Sequence, residues 1–275
     1  MAIYADFTTL TDVLVNIGTT ATGQNTLLLS LIRATAREME AHAGGRHFYP
    51  LIETRYFDAP LGERQLDLDD DLLAATTLTN GDAAAIASSE YNLLDYNAPP
   101  YYAIRLKASS TTFWEADSDG NTERAISLLG IWGWHTLYAH AWPASGAVLT
   151  TAITDAAATT FPCTTAVIRA GDLLKIESEY VYASSVSVSS VDTVTCVRGV
   201  NGSTAATHVI SSVVYRWWQP EIAQICAEAV TAKFRLRNNP VGEVVNVGGN
   251  VFQTPKDVNK FMRQRLEDIG AVRSF

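Results

Sequence analysis

Cysteine is scarce in this 275-residue chain: Cys163, Cys196 and Cys226 stand far apart and form no CxxC pair. That spacing excludes a disulfide scaffold and a paired-thiol metal site, and predicts three small buried hydrophobes. Long apolar runs are lacking as well. The longest, such as Leu27–Leu29 and Ile131–Trp134, are far too short to cross a bilayer, so no membrane role is expected. Met1–Asp6 shows no positive segment followed by an apolar stretch, which predicts synthesis and assembly in a cytoplasm. Positive charge is the third scarcity, with 20 Lys/Arg against 29 Asp/Glu. Residues 1–215 hold 11 Lys/Arg and 23 Asp/Glu, a net of −12, while 216–275 hold 9 and 6, a net of +3. An acidic body argues against gripping nucleic acid, whose phosphates need clustered cations.

What is abundant is apolar residue: 47% of the chain, at a mean hydropathy of +0.05, enough to bury a sizeable core. Leu28, Leu31, Ile32, Thr35 and Met39 recur on one face of a helix that Gly44 and Gly45 end. Short strands are expected at 53–57, 65–69, 91–94, 101–106 and 125–134, with a hairpin turn at Asn80-Gly81. From 144 to 214 the chain is rich in Ala, Ser, Thr and Val. It offers strand candidates at 160–163, 173–176, 180–189, 193–197 and 213–215, with a turn at Asn201-Gly202. Helical spacing returns at Pro220, where Ile222, Ile225, Cys226, Ala229 and Val230 form a stripe. It returns again after Thr254, a candidate N-cap, with Val258, Phe261, Met262, Leu266 and Ile269 on one face. The expected fold is α+β: a mainly helical domain with short strands over 1–142 and 217–275, interrupted by a small all-β barrel or sandwich over 143–216.

No reading for catalysis emerges. Asp67, Asp69, Asp70 and Asp71 lack the glycine and distal Glu of a calcium loop and read as a solvated acidic turn. The histidines (His42, His47, His135, His140, His208) show no i, i+4 pair on a helix. No nucleophile elbow, phosphate loop or dinucleotide fingerprint is present, so neither a catalytic residue, a metal ligand nor a cofactor is expected. Phe161, Tyr180 and Tyr182 read as core of the β module rather than a ligand platform.

The order of the pieces carries a resemblance. Thr9-Leu-Thr-Asp-Val-Leu-Val-Asn-Ile17 precedes the helix 27–43, then Gly44-Gly-Arg-His-Phe48, then strands that close with Ser127-Leu-Leu-Gly-Ile-Trp-Gly-Trp134. Pro220-Glu-Ile-Ala-Gln-Ile-Cys-Ala-Glu-Ala229 follows. Over 8–134 and 217–270 this resembles the head–tail connector, or adaptor, family of long-tailed bacteriophages. In that family the Trp-Gly strand runs almost directly into the proline helix, whereas here about 80 residues intervene. The resemblance implies a non-enzymatic virion protein at the neck, assembled in the host bacterial cytoplasm. It implies a dodecameric homo-oligomeric ring between the portal protein and a downstream stopper or tail-terminator protein. DNA would pass through the lumen without specific binding. The candidate portal contacts are Lys256, Lys260, Arg263, Arg265, Arg273 and Phe275; the candidate subunit-packing residues are Trp132, Trp134, Ile222, Ile225 and Phe261. Two other readings remain: a tail or baseplate structural or receptor-binding subunit, and a hydrolase with an unrecognised site.

Overall fold

The computed structural model describes residues 6–20, 23–165, 167–238, 244–247, 250–253 and 257–273. Helices α1 (Leu10–Ile17) and α2 (Asn25–His42) open the chain. Strands β1 (Leu51–Phe57), β2 (Gln65–Thr79), β3 (Ala85–Ile86), β4 (Tyr91–Leu94), β5 (Tyr101–Leu106) and β6 (Ile126–Trp132) form an antiparallel sheet in the order β1-β6-β2-β5-β4, with β3 paired to β2. A second sheet follows, built from β7 (Ala144–Val148), β8 (Thr160–Thr164), β9 (Leu173–Ile176), β10 (Glu179–Ser187), β11 (Val191–Val197) and β12 (Val213–Arg216). Helix α3 (Pro220–Asn238), a hairpin of β13 (Val244–Val247) and β14 (Asn250–Gln253), and helix α4 (Val258–Asp268) complete the order.

The expectation of a mainly helical connector domain is overturned. Among the described residues the protein is mostly β, with two six-stranded antiparallel sheets, a two-stranded hairpin and four α-helices, 24% helix in all. The physical reason lies in β2 and β6. β2 runs for 15 residues through the acidic segment, and β6 buries every second side chain, so one unbroken sheet stands where short separate strands are expected. The acidic run is corrected with it. Asp67–Asp71 lie inside β2 at a register shift between Asp67 and Leu72, and Asp70 and Asp71 are buried rather than solvated. Arg55 holds Asp70 through Nη2 at 2.9 Å.

Chain contacts divide the molecule into two compact units, 1–46 with 142–275, and 47–141. In the first unit, the second sheet has the order β7-β12-β9-β10-β11-β8. A bridge between Leu149 and Cys163 brings its two ends together, so it curls into a partly closed barrel. Leu149, Phe161, Cys163, Leu174, Ile176, Val181, Val194, Cys196 and Val214 fill the interior. Beside it, α2 buries Leu28, Ile32 and Met39, α3 buries Ile222, Ile225, Cys226, Ala229 and Val230, and α4 buries Val258, Met262 and Leu266. All three cysteines are free and buried. Among the described residues no helix is long and apolar enough to cross a membrane.

The motif segments each have a local task. Gly44 and Gly45 take positive φ (74° and 83°) to end α2. Arg46 Nη1 donates to the Gly270 carbonyl at 2.9 Å and so ties off α4. In the other unit Trp134 N donates to the His47 carbonyl at 2.7 Å, and Phe48 meets the Trp134 ring edge-on at 5.6 Å. Gly133, at φ 140°, passes so close that a Cβ there would lie 2.4 Å from the Tyr49 carbonyl oxygen.

Candidate interaction surface

Thr9 caps α1, its hydroxyl accepting from Asp12 N at 3.2 Å and donating to Asp12 Oδ2 at 2.6 Å. The helix turns Val13 fully inward and leaves Val15 on the outside, 72% exposed. Because Asp12 is part of the cap, its carboxylate is already oriented when Arg169 Nη1 reaches it at 2.5 Å from the loop before β9. The start of α3 lies alongside, and the linker into it carries Arg216-Trp-Trp-Gln-Pro220. Arg216 lies over the Trp218 ring at 4.7 Å, and its Nη1 donates to the Val167 carbonyl at 3.3 Å. The result is a groove of about 360 Å³ with Val15, Val167, Arg169, Arg216 and Trp218 on its walls and Ala223 of α3 on its lining. Val167 is 58% and Trp218 42% exposed, so three apolar side chains face solvent around two guanidinium groups.

Beneath the groove sits Asp172, 8% exposed. Its Oδ2 accepts the Arg169 backbone N–H at 2.8 Å and lies 3.9 Å from Arg216 Nη1. Burial pushes its carboxyl up to about 6, although Arg216 and Arg169 pull the other way. A folded value above the ordinary 3.8 means that ionisation favours the unfolded chain. Stability therefore falls as pH rises from about 4 through 6, by at most about 3 kcal/mol. Asp172→Asn keeps an acceptor for the Arg169 N–H and removes that cost. Its melting temperature is expected to exceed that of the native chain at pH 7.5 and to match it at pH 4. Equal melting temperatures at both pH values would contradict the assignment.

A second cluster holds the barrel's outer wall. Trp142 stacks on Tyr180 at 5.2 Å and meets Trp217 edge-on at 5.1 Å, while Lys175 Nζ lies 5.2 Å from the Trp142 ring and 5.6 Å from that of Tyr215. Burial holds the Lys175 ammonium below the usual lysine range. Phe161, Tyr180 and Tyr182 are 1%, 3% and 6% exposed, so they belong to the packing, as the alternating strands imply. His208 directs Nε2 at Glu179 (2.7 Å) and Nδ1 at Glu177 (3.2 Å). With both ring nitrogens on carboxylates it has no free position for a hydroxyl or thiol nucleophile. Among the described residues no group of three or more His, Cys, Asp or Glu is placed to hold a metal ion.

The residues named from sequence fall in several places. Lys256 and Phe275 lie outside the described residues, as does the proposed cap Thr254; the described helix is capped by Asp257, which accepts from Lys260 N at 2.9 Å. Lys260 and Arg263 are exposed on α4, Arg263 pairing with Glu267 at 2.9 Å. Arg265 is half-buried, 3.7 Å from Glu228, and the Arg273 backbone donates to the Ala43 carbonyl at 3.2 Å. Trp132, Trp134, Ile222 and Ile225 are buried within their own chain and Phe261 is half-buried. The groove residues Val15, Val167, Arg169, Arg216 and Trp218 escape the sequence reading, because three separated segments build it. The one local signal is the Arg-Trp-Trp run at 216–218, charge and aromatics set just ahead of a helix. No model of a known protein family matches this chain, and no curated protein matches it in sequence.

Proposed function

We propose that this protein is a structural virion subunit, a head–tail adaptor that assembles as a ring between the portal and the tail of a bacteriophage and leaves a channel for DNA. The observation that carries the reading is the groove on the first unit. Exposed Trp and Val beside arginines is the composition of a protein contact site, where desolvated aromatic and guanidinium groups supply most of the binding energy. The segments that bear the family resemblance add support, since Gly44-Gly-Arg46, Phe48 and Trp134 all hold the chain's own framework together. Charge adds more. The unit 47–141 holds 5 Lys/Arg and 14 Asp/Glu, a net of −9, whereas the remaining residues hold 15 of each. All of the net charge thus sits on one unit, and a ring of such subunits repels DNA rather than gripping it. Portal and stopper or tail-terminator proteins are the partners, and Lys260 and Arg263 on α4 remain the portal-side candidates.

One observation favours a second reading, a tail or baseplate subunit: Val209 and Ile210, next to the barrel's last strand, are 67% and 58% exposed and offer an apolar patch away from the groove's own residues. Electron cryo-microscopy of the intact particle separates the two. The adaptor reading expects ring density directly below the portal that accommodates this chain. Density for it at the tail tip would overturn that reading in favour of the second.

A further inference from the structure

We propose that Lys175 is a covalent acceptor site, its side-chain amine taking a small aldehyde as an imine in the cavity beside β9. The ladder sets the amine in place. Lys175 stands in register with Tyr180 of β10 on one side and with Tyr215 of β12 on the other. Directly opposed residues of an antiparallel pair share a face, so the lysine stem runs between two aromatic neighbours. Nζ lies 5.6 Å from the Tyr215 ring centre and 5.2 Å from that of Trp142, which itself stacks on Tyr180 at 5.2 Å. The rings shield the amine without closing over it. Lys175, Glu177, Ser212, Val213 and Tyr215 line an open cavity of about 470 Å³.

What the amine lacks is a counter-charge. Among the described residues no carboxylate pairs with Nζ. Glu177, the one carboxylate of the lining, accepts from Ser212 Oγ at 3.2 Å and meets His208 Nδ1 at 3.2 Å, so its oxygens are engaged elsewhere. An ammonium half out of water, with no anion to offset its burial, gives up its proton more readily than an exposed one. The ring faces return part of that cost, and burial still prevails, holding this group below the usual lysine range. The neutral amine carries the lone pair that attacks a carbonyl, the property that makes desolvated lysines imine formers. The step balances without a further reagent. The Nζ lone pair bonds to the aldehyde carbon, the C=O pair moves onto oxygen, and a proton passes from nitrogen to that oxygen. Nitrogen then expels the hydroxyl, which leaves as water with the second amine proton, and a C=N bond remains. Two other lysines are built differently: Lys233 Nζ bonds Glu38 (2.5 Å) and Thr35 (3.1 Å), and Lys260 is exposed on α4.

The test treats the full chain with propanal and sodium cyanoborohydride, which fixes any imine as a secondary amine, and locates the label by peptide mass spectrometry. At pH 7 Lys175 is expected to be labelled at least about fivefold faster than Lys260, because more of it is neutral. The advantage is expected to close as pH rises past about 10.4, where an exposed lysine is itself half neutral. Tyr215→Glu sets a carboxylate across the ladder from Lys175, which favours the ammonium. Circular dichroism checks the fold of that variant, and the advantage is expected to disappear in it. The comparison within the native chain decides without any variant: labelling of Lys175 no faster than that of Lys260 at pH 7 overturns the proposal. A folded Tyr215→Glu chain that keeps the full advantage overturns it as well.

Discussion

Replacing Glu179 with alanine is expected to destabilise the protein by about 3–5 kcal/mol, the cost of leaving a buried partner charge uncompensated. Glu179 is fully buried at the start of β10. Its Oε1 meets Arg198 Nε (2.6 Å) and Gly199 N (3.0 Å); its Oε2 meets Arg198 Nη2 (2.6 Å), Ala206 N (3.0 Å) and His208 Nε2 (2.7 Å). The carboxylate therefore gathers the whole loop 198–208 around itself. Removing it strands the Arg198 guanidinium, whose side chain is 5% exposed, together with two backbone N–H groups. Burial alone raises the carboxyl of Glu179, but the contacts from Arg198, His208 and Ala206 outweigh it and hold the group below its ordinary 4.5. With the folded value depressed, this stabilisation is present above about pH 4.5 and is lost as pH falls through the lowered value. Glu177→Ala is the control: its side chain is 55% exposed and its loss should cost no more than about 1 kcal/mol. Urea denaturation followed by circular dichroism measures both, and equal midpoints for the two variants would contradict the role given to Glu179.

Trp132→Ala should cost about as much, 3–5 kcal/mol for a large aromatic removed from a core that cannot collapse around the gap. Trp132 is fully buried on β6, paired in register with Leu51 of β1 and Leu72 of β2. Its Nε1 donates to the Glu53 carbonyl at 3.1 Å, and the Arg55 guanidinium lies 4.4 Å from its ring. That stacking fixes Arg55 where it bonds Glu53 (2.6 Å), Asp69 (3.2 Å) and Asp70 (2.9 Å), so the indole also supports a cation that faces all three carboxylates. Trp132→Phe keeps the aromatic volume but loses the hydrogen bond, and should cost a fraction of the alanine change, about 1–2 kcal/mol. Thermal unfolding measures the series, and an alanine variant that melts like the native chain would contradict it.

Local rules placed much of the fold. Pro220 starts α3, the buried stripe Ile222, Ile225, Cys226, Ala229 and Val230 follows the expected spacing, and β9 spans Leu173–Ile176 as the alternation implies. Asn201 and Gly202 take the positive φ values (50° and 82°) that their dipeptide signals. Asn80-Gly81 does open the link between β2 and β3, but for another reason: the positive φ falls on Ala83, and Gly81 is needed for its closeness to Glu115. Long-range terms explain the failures. The run Asp67–Asp71 looks like a solvated turn until Arg55, from another strand, supplies its counter-charge. The weight of helix was overestimated because 3.6-residue periodicity stands out in a sequence, whereas β2 and β6 become one sheet through pairings across 50 or so residues. The groove was illegible because α1, the loop at 167–169 and the linker at 216–218 meet only in the folded chain.

The mass of the native assembly tests the proposed ring most directly. Native mass spectrometry of the full chain at low ionic strength is expected to show one closed oligomer of fixed copy number that dissociates as salt is raised. A single species at the 29.9 kDa of one chain, unchanged by concentration or salt, would contradict it.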